Sequence, residues 1–227
     1  MGSHHFSAPW MAAVACFVTT WGGIAVTRTA RAGGLFVVLF VGAFALSLGG
    51  LLGSFADGDS VFVERFSDET TRVLDIAASY LLALAALVFA WFAREVASRS
   101  VSHRAALKLS GYSAAGGMLV AAVAAATTPL SIWFGALVDD PGIEIGQGVL
   151  PQFAYVALTM GALLPAGVFI ITAARSGDLM PRWLGYVSYP VGVLVAIAAL
   201  AFMPLFLFPI WMVAFVAVDW KTRAASD

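Results

Sequence analysis

Charge is scarce in this 227-residue chain: 25 side chains, 11%, are charged, against about 25% in an average soluble protein. Those few charges leave six uncharged runs, 6–27, 32–56, 76–93, 109–138, 145–174 and 183–218. Each is long enough to cross a bilayer, which takes about 17 to 25 apolar residues. With 61% hydrophobic residues and a mean hydropathy of +0.93, an ordinary soluble domain is excluded. No connection between runs exceeds about twenty residues. There is no room for a separate soluble catalytic domain, and residues 1–227 read as one integral membrane domain.

Other absences narrow the chemistry. The single cysteine, Cys16, excludes an internal disulfide and any paired-cysteine metal or redox site. None of the six runs contains Asp, Glu, Lys or Arg, whereas proton-coupled pumps and ion pathways place ionisable groups at membrane depth. Beyond the N-terminus the only histidine is His103, in a basic loop, so no histidine pair can hold a haem between helices. The only lysines, Lys108 and Lys221, sit at membrane edges, which excludes a retinal Schiff base within the bundle. No HExxH, GxSxG or phosphate-loop motif occurs. No cofactor or metal is expected, and an enzyme ranks behind a binding or structural role. The net charge of −1 gives no pull toward nucleic acid.

What is present is helix. Backbone amides in hydrocarbon must be bonded within a helix or a closed barrel, and the runs lack the alternating ten-residue pattern of barrel strands. The expected fold is all-α, a polytopic transmembrane bundle with spans at 10–27, 34–53, 73–93, 109–130 and 149–174, followed by the long last run. As one helix, 183–218 would measure ~54 Å against a hydrocarbon core of ~30 Å. Pro204 and Pro209 divide it into 184–203 and 205–220, giving seven spans; the alternative is six, with a long kinked last helix.

Charge placement favours seven. Ten basic residues (Arg28, Arg31, Arg94, Arg99, Arg104, Lys108, Arg175, Arg182, Lys221, Arg223) then share one side, against Arg65 and Arg72 on the other. Lys and Arg concentrate on the cytoplasmic side, which puts the N-terminus outside and the C-terminus in the cytoplasm. No Lys or Arg precedes the first run, whereas Arg28 and Arg31 follow it. That is the reverse of a secretory signal peptide, so the first run reads as a retained span. Asp57, Asp59, Glu64, Asp68, Glu69, Asp75, Asp139, Asp140 and Glu144 fall on the outer side, where a solvated acidic face is the favoured reading over a cation site.

Small residues recur at helical spacing: Gly42, Gly49 and Gly53, and again Gly117, Ala121 and Ala125. They allow helix backbones to approach closely in lipid, and intramolecular packing is favoured over an oligomer face. A polar set lies toward the outer half. Gln152, Tyr155 and Thr159, at i, i+3 and i+7, share one helix face by α-helical spacing; Ser79, Tyr80, Thr127 and Thr128 lie at similar depth. With aromatic walls from Trp133 and Phe153 they form a candidate ligand pocket, weighed against simple bonding within and between helices.

Near the end of the chain, Leu179-Met180-Pro181-Arg182-Trp183-Leu184-Gly185-Tyr186 opens an apolar stretch, and Pro209-Ile210-Trp211 follows before a basic tail. Over about the last 45 residues the chain resembles a group of bacterial multi-span membrane proteins of unknown function, whose penultimate helix opens with a Pro-Arg-Trp-Leu-Gly segment. The alanine-rich composition suits an actinobacterium. The resemblance implies a place in the bacterial inner membrane but no activity. Two roles follow: binding or transport of a small apolar or amphipathic molecule or lipid, or a structural or regulatory subunit packed against a membrane protein partner. Membrane lipids are partners in both.

Overall fold

The computed structural model describes residues 27–53, 68–134, 152–197 and 203–224. Among these the structure is helical throughout: α1 (Arg28–Gly53), α2 (Glu69–Arg99), α3 (Arg104–Trp133), α4 (Gln152–Arg175), α5 (Arg182–Ala196) and α6 (Leu207–Ala224), the last preceded by a 3₁₀ turn, Met203–Phe206. Four of them, α1 to α4, are long and apolar enough to cross a membrane. At ~1.5 Å per residue, α5 and α6 reach only ~22 and ~27 Å.

Local sequence sets the helix ends. The Thr27 hydroxyl accepts from the Ala30 amide at 3.1 Å, and the Asp68 carboxylate accepts from the Thr71 amide at 2.9 Å and its hydroxyl at 2.6 Å; both are N-caps that satisfy otherwise orphan donors. The Thr71 hydroxyl, then its amide, hold the Asp68 carboxyl below the usual aspartate range. Gly177, with φ 66°, takes the left-handed conformation that ends α4. Pro181 then stands as the residue before α5, and Pro209 falls in the first turn of α6, where a missing N–H costs least.

Each helix packs on the next, and α6 returns to α1, closing a ring of six. The centre is filled by aromatic side chains: Phe36, Phe40 and Phe44 from α1, Phe89 and Phe92 from α2, Phe169 from α4, and Phe208, Trp211 and Phe215 from α6. The Phe89 ring is a hub, 5.2 Å from Phe36, 5.3 Å from Phe208 and 5.6 Å from Phe169. Mostly edge-on or tilted pairs of this kind contribute about 0.5 to 1.5 kcal/mol each beyond the area they cover. The outward faces carry Leu84, Leu87, Val120, Val123, Met160, Val193, Ile210 and Val213 exposed, more apolar surface than a soluble monomer displays.

α3 brings no ring to the centre; it fits by being thin. A methyl built on Gly117 would lie 2.1 Å from the backbone of Gly161 in α4, and one on Gly167 would lie 2.3 Å from the Gly192 carbonyl oxygen in α5. Glycine 117 therefore packs within the bundle, as expected. The π-helical turn Ala157–Leu163, bonded i→i+5 as at Leu164 N–H to the Thr159 carbonyl, lies in α4 at this contact.

The described residues depart from the sequence reading at two points, and part of that reading lies beyond them. The first expected span, 10–27, lies outside the described residues except for Thr27, as do the acidic residues of 57–64 and 139–144. The last run does divide, but α5 ends at Ala196, seven residues before the expected boundary, and Pro204 sits inside the short 3₁₀ turn. Asp75 is buried and not solvated: α2 starts at Glu69, so Asp75 lies almost two turns inside and shares the inward face with Ala78, Ser79 and Leu82.

The glycine contact makes a direct expectation. Gly117→Ala should lower thermal stability in detergent by several degrees, because backbone must move. Gly116→Ala, with nothing within 4 Å of the new methyl, should be neutral or stabilising by up to about 1 kcal/mol from helix propensity. Equal melting temperatures for the two variants would contradict the close α3–α4 approach.

Candidate functional site

The expected outer polar set is dispersed. Gln152 is exposed, Tyr155 half-buried and Thr159 buried. The π-turn begins between Tyr155 and Thr159, so α-helical spacing does not carry one face across it. Ser79 is buried while Tyr80 is 63% exposed on the opposite side of α2. Trp133 and Phe153 also face outward, each 51% exposed. Three of the hydroxyls bond to their own helix: Ser79 to the Asp75 carbonyl at 2.8 Å, Thr127 to that of Val123 at 2.8 Å and Thr159 to that of Tyr155 at 2.9 Å. Thr128 differs. Its hydroxyl is buried with no hydrogen-bond partner among the described residues, beside Pro129, which lies inside α3 and supplies no N–H.

A second arrangement lies at the other end, where α1 begins and α2 and α6 end. Arg99 Nη1 donates to Asp219 Oδ1 at 2.7 Å, and Nη2 donates to the Thr29 hydroxyl. The Thr27 hydroxyl donates to Asp219 Oδ2 at 3.1 Å. One guanidinium and one carboxylate thus join three helices, with Asp219 8% exposed and Arg99 23%. Arg28 and Arg31 open α1, Arg99 ends α2, Arg104 opens α3, Arg175 ends α4 and Arg182 opens α5; the end of the bundle that carries the clasp is termed the basic end.

The strip joining α4 to α5 passes over this clasp. Gly177 turns the chain, and Pro181 holds extended backbone (φ −65°, ψ 152°) at the start of α5. Between strip and clasp is a cleft of about 380 Å³, lined by the charged residues Arg99, Asp178 and Asp219 together with Leu179, Met180, Pro181 and Val218. Met180, one of the lining residues, is held from within: its Sδ lies 3.5 Å from Ser188 Oγ, which accepts from the Trp211 indole N–H at 2.8 Å and donates to the Leu184 carbonyl at 2.7 Å. Asp178 is exposed and makes no ion pair among the described residues. Among those residues no group of three His, Cys, Asp or Glu side chains gathers for a metal.

Compared with protein-family models, curated proteins and solved structures, the chain matches none. The site therefore stands on its own chemistry. Sequence reading assigned the basic residues to one side but left the acids there, Asp178 and Asp219 among them, without a role. The available signal was an acid placed where charge bias favours only Lys and Arg; the pairing itself joins residues 120 positions apart and needed the fold.

Two outcomes are expected. Thr128→Val should raise stability by about 1 kcal/mol, since it removes an unpaired buried hydroxyl at constant shape, whereas Thr127→Val should be neutral or mildly destabilising; a loss with Thr128→Val would mean that a bound water or ligand uses that hydroxyl. In a double-mutant cycle, Arg99→Gln and Asp219→Asn should each cost about 1.5 to 3 kcal/mol, and the double variant clearly less than their sum. Additive losses in unfolding assays in detergent would show that the pair is not coupled.

Proposed function

We propose that this chain is a seven-span protein of the bacterial inner membrane, N-terminus outside and C-terminus cytoplasmic, that holds a small amphipathic or lipid molecule at its basic end. The observation that carries this reading is the cleft beside Arg99 and Asp219, whose lining combines charged with apolar side chains, the mix that a site for an amphipathic ligand requires. Its depth in the chain suits the membrane interface, where Arg182 and Trp183 at the start of α5 match the basic and aromatic residues that anchor helices at headgroup level. The filled aromatic centre supports retention over passage through the ring. The hydroxyls of Ser79, Thr127 and Thr159, bonded to their own backbone, move the binding position from the outer polar set to the cleft. The same self-sufficiency supports a second reading, a structural subunit that presents its outer faces to another membrane protein.

Native mass spectrometry after gentle solubilisation tests this. A lipid or metabolite should be retained at fixed stoichiometry by the wild type and by Gln152→Leu/Tyr155→Phe, and lost in Leu179→Trp, which adds bulk to the cleft lining, with helical content by circular dichroism unchanged. Retention in Leu179→Trp would remove the cleft from the site; a bare wild type with a stoichiometric protein partner would favour the subunit.

A further inference from the structure

We infer that the molecule held in the cleft is a zwitterionic phospholipid with a primary amine, its ammonium on Asp178 and its phosphate toward the flanking Arg175 and Arg182; this rests on the binding reading above. The first step is to count which charges are free. Both terminal nitrogens of Arg99 are engaged, by Asp219 and Thr29, and both Asp219 oxygens accept hydrogen bonds. That pair neutralises itself and presents little net charge to a guest. Asp178 is the remaining charged wall: exposed, unpaired among the described residues and lining the same cleft. A carboxylate accepts and cannot donate, so its complement is a cation that carries N–H groups.

A simple cation is nevertheless disfavoured. Arg175 ends α4 and Arg182 begins α5, one on each side of the strip that carries Asp178, and both are exposed. Two guanidinium groups flanking the strip repel positive charge and attract negative. A guest with both signs satisfies the two parts: an ammonium for Asp178 in the cleft lining, and a phosphate for the arginines that flank the strip, with which guanidinium groups pair strongly. The apolar wall of Leu179, Met180, Pro181 and Val218 then receives the glycerol and the first methylenes. A membrane lipid supplies that whole combination at headgroup depth. A quaternary choline head has the same charges but no N–H to donate, so the carboxylate discriminates by hydrogen bonding and not by charge alone.

The test uses the full-length protein in detergent, titrated with short-chain phosphatidylethanolamine, phosphatidylcholine and phosphatidylglycerol, with occupancy read by native mass spectrometry. The ethanolamine lipid should bind about tenfold more tightly than the choline lipid, as one charge-assisted hydrogen-bonding contact implies. Asp178→Asn should bring it down to the choline level while leaving phosphatidylglycerol unchanged; Arg182→Gln should weaken all three lipids. Since Asp178 is exposed and unpaired, the melting temperature of Asp178→Asn should equal that of the wild type. Phosphatidylglycerol binding best, or an ethanolamine preference unaltered by Asp178→Asn, would overturn the head-group assignment while leaving the cleft as a site, provided Leu179→Trp still abolishes binding. Free phosphoethanolamine binding as tightly as the lipid would replace the lipid by a soluble zwitterion. No binding of any of these, in a protein stripped of lipid, would overturn the cleft reading as well.

Discussion

In hydrocarbon an apolar side chain gains nothing by leaving its solvent, because the lipid tail is as greasy as leucine. If the outward leucines and valines of this bundle face lipid, the ring is held by contact itself: dispersion between close-packed atoms, edge-on aromatic pairs and a few hydrogen bonds. The chain divides this task unequally. α1, α2, α4 and α6 contribute the phenylalanines that meet around Phe89, while α3 and α5 contribute thinness, with Gly117 and Gly192 seated on the backbone of α4. Large rings at the centre and absent side chains at the seams are complementary solutions to the same requirement, that no volume be left between helices.

The charged clasp has a different character. Its parts come from the start of α1, the end of α2 and the end of α6, so it acts where the ring begins and closes. An ion pair in a region of low dielectric repays its desolvation only when hydrogen bonds satisfy both partners, and the two threonine hydroxyls supply them. Its location beside the strip between α4 and α5 explains why a cleft forms there: the clasp occupies the ends of α2 and α6, and Gly177 and Pro181 carry the strip over them without packing down onto them.

Much of the architecture was legible in the sequence because it follows from length and polarity. The expected spans 34–53, 73–93 and 109–130 lie on α1 to α3, and the described part of 149–174 lies on α4; α2 and α3 extend beyond their spans at both ends because charged residues are compatible with helix even where they are not compatible with hydrocarbon. The break in the last run was legible from its excess length, but its position was not, since proline marks where a helix cannot continue and α5 stops earlier for reasons no proline reports. The candidate site was less legible. The polar residues admitted two readings, a pocket or hydroxyls bonded within and between helices, and spacing alone does not separate them; in the structure Ser79 and Thr159 are buried and satisfy themselves on the carbonyl four residues back. The clasp and cleft depend on contacts between residues as far apart as Thr27 and Asp219, and no local pattern encodes them.

The π-turn in α4 sets one more condition on this chain. A turn bonded i→i+5 holds more chain than an α-turn, so Ala157–Leu163 stores a small surplus of sequence within an otherwise regular rod. Loss of one residue there, such as the outward-facing Met160, can be taken up by reverting to α-helical bonding with the Gly167–Gly192 seam left in register. The same deletion in α3 has no surplus to draw on and would rotate one half of the helix by about 100° relative to the other. Length variation in this bundle is therefore tolerated at one place in its interior and excluded along most of the rest.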